Sequence, residues 1–178
     1  MNSKFKIQNS KLKSGFTLIE MLVVISIITI LGGLILGALS TARKRALIQR
    51  QEFAINTLAK SAIERYANDF HDFPDSGGKD GIEGCERLLE ALTTTEKDGP
   101  YIKIGEIQTC DSNGNGLLEI ADVWNQPLRY IHHKYYGRQG PNRREFRLYS
   151  VGIDGKDEPM FAESDDILNW KKGENAEE

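Results

Sequence analysis

Residues 16–39, "FTLIEMLVVISIITILGGLILGAL", contain a single charged side chain, Glu20. As a helix rising ~1.5 Å per residue, this run reaches about 36 Å, enough to cross a hydrocarbon core of about 30 Å. No other feature constrains the chain as strongly. The run is longer than the apolar core of a secretory signal, about 7–15 residues, and "GALSTA" near its end is a poor cleavage site. A membrane-spanning helix is expected. Lys4, Lys6, Lys11 and Lys13 precede it with no acidic residue among them, which predicts a cytoplasmic N-terminus and an extracytoplasmic remainder. The net charge of −3 gives no general reason to expect nucleic-acid binding.

An ordinary anchor does not explain Glu20. A carboxylate inside a spanning helix costs on the order of 2.5–3.5 kcal/mol on insertion scales, so it reads as functional unless it snorkels to the headgroups. The same segment holds Gly32, Gly33 and Gly37. Gly33 and Gly37 form a G-x-x-x-G pair, a pattern that allows close helix approach in membranes, although glycine is common in spanning helices generally.

Helical spacing continues beyond the run. Ala54, Leu58, Ala62, Tyr66 and Phe70 recur every four residues, flanked by Ile55, Ala59, Ile63 and Ala67, and form an amphipathic stripe. Pro74 disfavours helix in the residue before it, so the helix is expected to run from Phe16 to Phe73. Residues 75–84 read as a Gly/Asp-rich loop and 85–92 as a short helix with Leu88, Leu89 and Leu92 on one face. "PLRYIHHKYY" and "REFRLYSVGI", separated by a polar Gly/Pro-rich segment, read as a β-hairpin. The expected fold is α+β: a long N-terminal helix packed on a small antiparallel sheet. Five segments follow: 1–15, a basic leader; 16–40, the spanning helix; 41–73, its amphipathic continuation; 74–123, a variable loop region; 124–178, the sheet and an acidic C-terminal loop.

"DSNGNGLLEIAD" (111–122) fits the D-x-[DN]-x-[DN]-G calcium loop. Asp111, Asn113 and Asn115 take positions one, three and five. Leu117 offers its carbonyl at seven, Glu119 lies at nine, and Asp122 stands at twelve in place of the longer glutamate. No helix precedes the loop, so it is EF-hand-like rather than an EF-hand. Cys85 and Cys110 bracket this region. In an oxidising compartment they pair, closing a loop worth about 3–4 kcal/mol, or they stay two independent thiols. His132 and His133 are adjacent on the expected strand and so should face opposite sides, which argues against a shared zinc ion. No G-x-S-x-G elbow, P-loop or H-E-x-x-H occurs, and an enzyme is not expected.

"KSGFTLIEMLVVISIITIL" resembles the class III signal of type IV pilins and type II secretion pseudopilins: a basic leader ending in Gly15, then Phe16, with Glu20 at the fifth mature position. "DVWNQPLRY", "FRLYSVGIDGKD" and "DDILNW" resemble the C-terminal region of the major pseudopilin. The resemblance covers roughly 16–74 and 122–170. It implies cleavage after Gly15 by a prepilin peptidase, methylation of the Phe16 amine, and pairing of Glu20 with a neighbouring protomer's amine. It implies a single-pass inner-membrane protein with a periplasmic head that joins a helical filament driving protein export. Its partners would be further copies of itself, other pseudopilins, and the inner-membrane assembly platform with its ATPase. It also implies structural calcium in the C-terminal loop, held by Asp154, Asp165 and Asp166, with Asp157 a further candidate. With the loop at 111–122, one or two Ca²⁺ sites are expected. The family has proline where Gly37 stands, so a proline-induced melting of the helix does not carry over. The alternatives are a type IV or competence-type pilin, or a membrane-tethered calcium-dependent binding module that does not polymerise.

Overall fold

In the computed structural model of the chain, residues 15–78, 81–135, 145–159, 161 and 163–170 are described, apart from the side chains at 36–38. The leader before Gly15, most of the hairpin turn and the C-terminal tail lie outside them. The chain divides into two compact units, Met1–Arg43 and Lys44–Glu178.

Helix α1 spans Leu18–Leu58. In its first unit, every large apolar side chain described between Phe16 and Leu39 is exposed, from 43% at Val24 and Leu39 to 83% at Leu18. Such all-round exposure befits a helix solvated by lipid or by other helices. The few hydroxyls are satisfied within the helix. Ser26 Oγ donates to the Leu22 carbonyl at 2.8 Å and Thr29 Oγ1 to that of Ile25 at 2.6 Å. This helix is long and apolar enough to cross a membrane.

The second unit begins within α1. A π-helical turn over Ala59–Ile63 follows, then α2 (Glu64–Phe70). The π-turn has a physical reason. A stripe repeating every four residues lags an α-helix of 3.6 residues per turn, and one wider turn absorbs the drift. Ile55, Leu58, Ala59, Ala62 and Ile63 are buried, and Tyr66 and Phe70 pack partly against the same core. Ala54, at the start of the stripe, is exposed. The helix ends at Phe70, short of Phe73, because His71 adopts the left-handed conformation at φ 61° and turns the chain before Pro74 acts.

Helix α3 spans Gly81–Leu92 and so begins inside the stretch expected to be loop. Its glycines reflect close packing rather than a turn. A Cβ at Gly84 would run into the Tyr130 carbonyl oxygen, so α3 lies directly on a strand. Strands β1 (Thr109–Cys110) and β2 (Glu119–Ile120) form a two-stranded antiparallel sheet. Strands β3 (Arg129–Ile131), β4 (Arg147–Ser150) and β5 (Ile167–Leu168) form a three-stranded sheet in that order. Arg129 faces Tyr149, Tyr130 faces Leu148, and Ile131 faces Arg147, so the expected hairpin is present with a shorter first strand. Tyr130, Leu148, Leu88, Leu92, Ile55 and Ile63 are fully buried and form the centre of the core. The fold is α+β, a long helix packed on small antiparallel sheets.

Because β3 stops at Ile131, strict alternation does not extend to the histidines. Their ring centroids lie 4.1 Å apart, on the same side of the chain. This corrects the expectation that His132 and His133 diverge.

Candidate functional site

At the start of α1, Thr17 and Glu20 form a reciprocal cap. The Thr17 amide donates to Glu20 Oε2 at 2.7 Å, Thr17 Oγ1 donates to the same oxygen at 2.8 Å, and the Glu20 amide donates to Thr17 Oγ1 at 3.3 Å. This is the T-x-x-E capping box, which satisfies amides that a helix start leaves without partners. It explains how a carboxylate is held at the edge of an apolar run. Phe16, just before it, is 74% exposed. A Cβ at Gly33 would meet nothing within 4 Å, so no contact inside the chain requires glycine there. The surroundings of Gly37 lie outside the described side chains.

The loop between β1 and β2 contains most of the EF-hand-like residues, but they do not converge as a twelve-residue calcium loop. Asp111 accepts from the Asn115 and Gly116 amides, each at 3.1 Å. Asn113 Oδ1 accepts from the Asn115 amide, and Asn115 Oδ1 from that of Leu117. Their Nδ2 groups both donate to Glu86 Oε1 on α3, at 2.7 and 2.8 Å. Glu119 is fully buried and closes the neck of the loop, accepting from the Ser112 amide at 3.0 Å and from Ser112 Oγ at 3.2 Å. Asp122 faces elsewhere. Its Oδ1 accepts from the Trp124 and Gln126 amides, and its Oδ2 from Ser150 Oγ at 2.6 Å. Three donors engage this buried carboxylate, so it caps the turn and ties it to β4 rather than closing the loop at position twelve.

Cys110 lies in β1, and its thiol points at Glu119 Oε2, 3.7 Å away. Cys85, on α3, points at the Ile120 carbonyl, 3.9 Å away. Both are free thiols in this structure. Burial pushes the Cys85 thiol up to about 12. Burial, with the Glu119 charge, pushes Cys110 up to about 11.

In the C-terminal loop, Asp165 Oδ2 accepts from the Ile153 amide at 2.9 Å and the Asp154 amide at 3.3 Å. Gly152, at φ +72°, allows this approach, since a Cβ there would lie 2.6 Å from the Asp165 carboxyl carbon. The Lys156 amide, donating to Asp154 Oδ1 at 3.0 Å, holds the Asp154 carboxyl below its usual range. Asp154 and Asp165 supply carboxylate oxygens of the kind a hard cation such as calcium takes, although backbone amides occupy several of them here. Asp166 is buried and accepts from the Glu158 amide at 3.0 Å. Asp157 does not fit the set. Its Oδ1 takes the Tyr149 hydroxyl at 2.9 Å and its Oδ2 takes Arg129 Nε at 3.1 Å.

The prokaryotic N-terminal methylation motif matches residues 10–36. The type II secretion system core protein G of Pseudomonas aeruginosa is 30% identical over 160 residues, 89% of this chain and 95% of the relative. That of Escherichia coli K12 is 30% identical over 156 residues, 88% and 90% of the two chains. That of Aeromonas hydrophila is 26% identical over 158 residues, 89% and 92%. The chain belongs to the core protein G family of major pseudopilins. No solved structure matches it significantly.

Identity over nearly the whole length sets aside both a lone calcium-dependent tether and an ordinary pilin. It also fits the pseudopilin to the inner membrane as a single-pass protein through its apolar helix. Several residues that shape its head carried little sequence signal. Glu86 reaches the loop from α3, where it reads as one more surface charge. Gln51, on α1, is buried and accepts the Val123 amide at 3.0 Å, bracing the turn that Asp122 caps. Asn169 pairs with Leu148 through both backbone and side chain, and so builds β5 from a segment that reads as loop. The Thr17–Glu20 box was also missed, although T-x-x-E before an apolar run is the signal that could have found it.

Proposed function

We propose that this pseudopilin is matured by cleavage after Gly15 and methylation of the Phe16 amine, and assembles through Glu20. The N-terminus faces the cytoplasm and the head the periplasm. The observation that carries this reading is the cap at the start of α1, which holds the Glu20 carboxylate beside the exposed Phe16. Cleavage places a positive amine at Phe16. The Glu20 carboxylate of a neighbouring protomer accepts it, and in a low-dielectric setting that pair is stronger than in water. One pair replaces two isolated charges, each of which is costly in lipid. An incoming subunit therefore docks in one axial register. Its partners are further copies of itself, the other pseudopilins, a prepilin peptidase, and the assembly platform with its ATPase. The chain is a substrate of the peptidase and not an enzyme.

Calcium is proposed for the head. Asp154 and Asp165, with Asp166 nearby, would hold it in the C-terminal loop. A second ion would bind Asp111, Asn113 and Asn115, with Glu86 rather than Asp122 as the acid across the loop. Cys85 and Cys110 would brace that loop if oxidised.

The deciding test is Glu20→Ala in a host lacking the wild-type gene. The variant should be processed and inserted normally, yet form no filaments and support no export of folded proteins. Normal export by Glu20→Ala would remove the pairing from the mechanism.

A further inference from the structure

Among the described residues, Asp72, His132 and His133 alone bring three His, Cys, Asp or Glu ligand atoms within 4.8 Å of one another. Asp72 follows the turn that ends α2, and the histidines follow β3. The two segments are stapled together. The Tyr130 hydroxyl donates to the Pro74 carbonyl at 2.6 Å, the His132 amide donates to Ser76 Oγ at 3.2 Å, and His132 Nε2 lies 3.2 Å from Asp72 Oδ1. Tyr130, Ser76 and His132 are fully buried. The cluster is thus set in a rigid frame, a requirement for a metal site. Asp72 remains 44% exposed at its side chain and leaves a path from solvent.

Two further observations point to a ligand. His133 Nδ1 is buried and meets no hydrogen-bond partner, an arrangement that proteins generally avoid. The second carboxylate oxygen of Asp72 accepts Lys134 Nζ at 3.1 Å and Oδ1 accepts the Phe73 amide at 2.9 Å, which together orient the carboxylate with Oδ1 beside His132. Metal-bound carboxylates are typically held in this way from the outside.

We propose that Asp72, His132 and His133 form a site for a divalent transition metal of the zinc type, which clamps the chain leaving α2 to the end of β3. Two imidazoles and one carboxylate are borderline ligands that suit Zn²⁺, with the fourth position left to water. The site is separate from the calcium loops, whose oxygen donors suit a harder ion. His132 Nδ1 accepts the Lys134 amide at 3.2 Å, so the neutral ring carries its proton on Nε2, toward Asp72. Metal uptake at Nε2 moves that proton to Nδ1, and the contact with the Lys134 amide opens.

The test is calorimetric titration of Zn²⁺ into the metal-free full chain in detergent, with the Tm measured in parallel. One equivalent should bind, raise the Tm, and dissociate as the imidazoles protonate at acid pH. Excess Ca²⁺ should not displace it. His133→Ala and Asp72→Asn should each abolish the binding and the Tm shift, while Asp165→Asn keeps both. His132 is buried and its loss threatens the fold, so His133→Ala, checked by circular dichroism, is the deciding variant. Absence of saturable Zn²⁺ binding by the wild type would overturn the proposal. So would binding that survives His133→Ala and Asp72→Asn, which would place the ion elsewhere.

Discussion

The two parts of α1 obey opposite rules. Before Arg43, apolar side chains are exposed on all faces and polar groups are satisfied locally, by the Thr17–Glu20 cap and by hydroxyls bonded to the preceding turn. After Lys44, burial is confined to one face, where Ile55 and Leu58 enter the core while Phe53 and Ala54 stay exposed, and a polar residue such as Gln51 reaches across to another segment. The first part is stable as a helix without tertiary contacts because its solvent is apolar. The second depends on the core it helps to build. A residue's chemistry therefore does not fix its contribution; the environment of its part of the helix does.

The strongest way to break this comparison is to make the same change in the exposed part of α1 and in the head core that its second part joins. Leu88→Ala removes a fully buried side chain from the head core and should destabilise the head by about 2–5 kcal/mol in urea denaturation of the full chain in detergent. Leu22→Ala, in the exposed part of α1, should shift the same transition by less than about 0.5 kcal/mol. Equal losses would mean that the spanning segment packs on the head.

The next effect concerns the head's buried polar groups. Asp122→Ala strands the Ser150 hydroxyl and two backbone amides, at about 1–3 kcal/mol for each donor left buried without an acceptor. Any calcium-dependent rise in Tm should persist in this variant. Loss of the calcium response alone, with stability unchanged, would return Asp122 to the loop as a ligand.

A smaller effect should appear in alkali. Thiols ionise near ~8.5 in an unfolded chain, whereas burial keeps Cys85 protonated up to about 12. Above the lower value the unfolded chain has lost a proton that the native state retains, so stability falls as pH rises. Below it, Cys85 contributes no pH dependence. For the reduced protein the slope from this thiol is at most about 1.4 kcal/mol per pH unit, and Cys85→Ala should remove it. A wild-type alkaline profile that matches the variant's would mean that Cys85 is oxidised or exposed.

The α+β class, the spanning helix, the amphipathic stripe and the β3–β4 hairpin were all legible in the sequence. Each rests on a periodicity or a run, and periodicity records the local environment directly. The N-terminal methylation motif over residues 10–36 was legible too, because its signal lies in spacing along the chain. The start of α3 was not legible, because Gly81 and Gly84 signal loop until a strand lies against them. The loop at 111–122 matched its motif residue for residue, yet Asp122 is claimed by Ser150, 28 positions later, and Glu86 arrives from another helix. The histidine pair reads as divergent only while β3 is assumed to continue. Sequence determined which segments form and where the membrane helix lies, since these depend on neighbours a few residues apart. Only the tertiary structure decided which acids and imidazoles share a site, because a carboxylate is bound by whichever donors the packed core brings within about 3 Å of it.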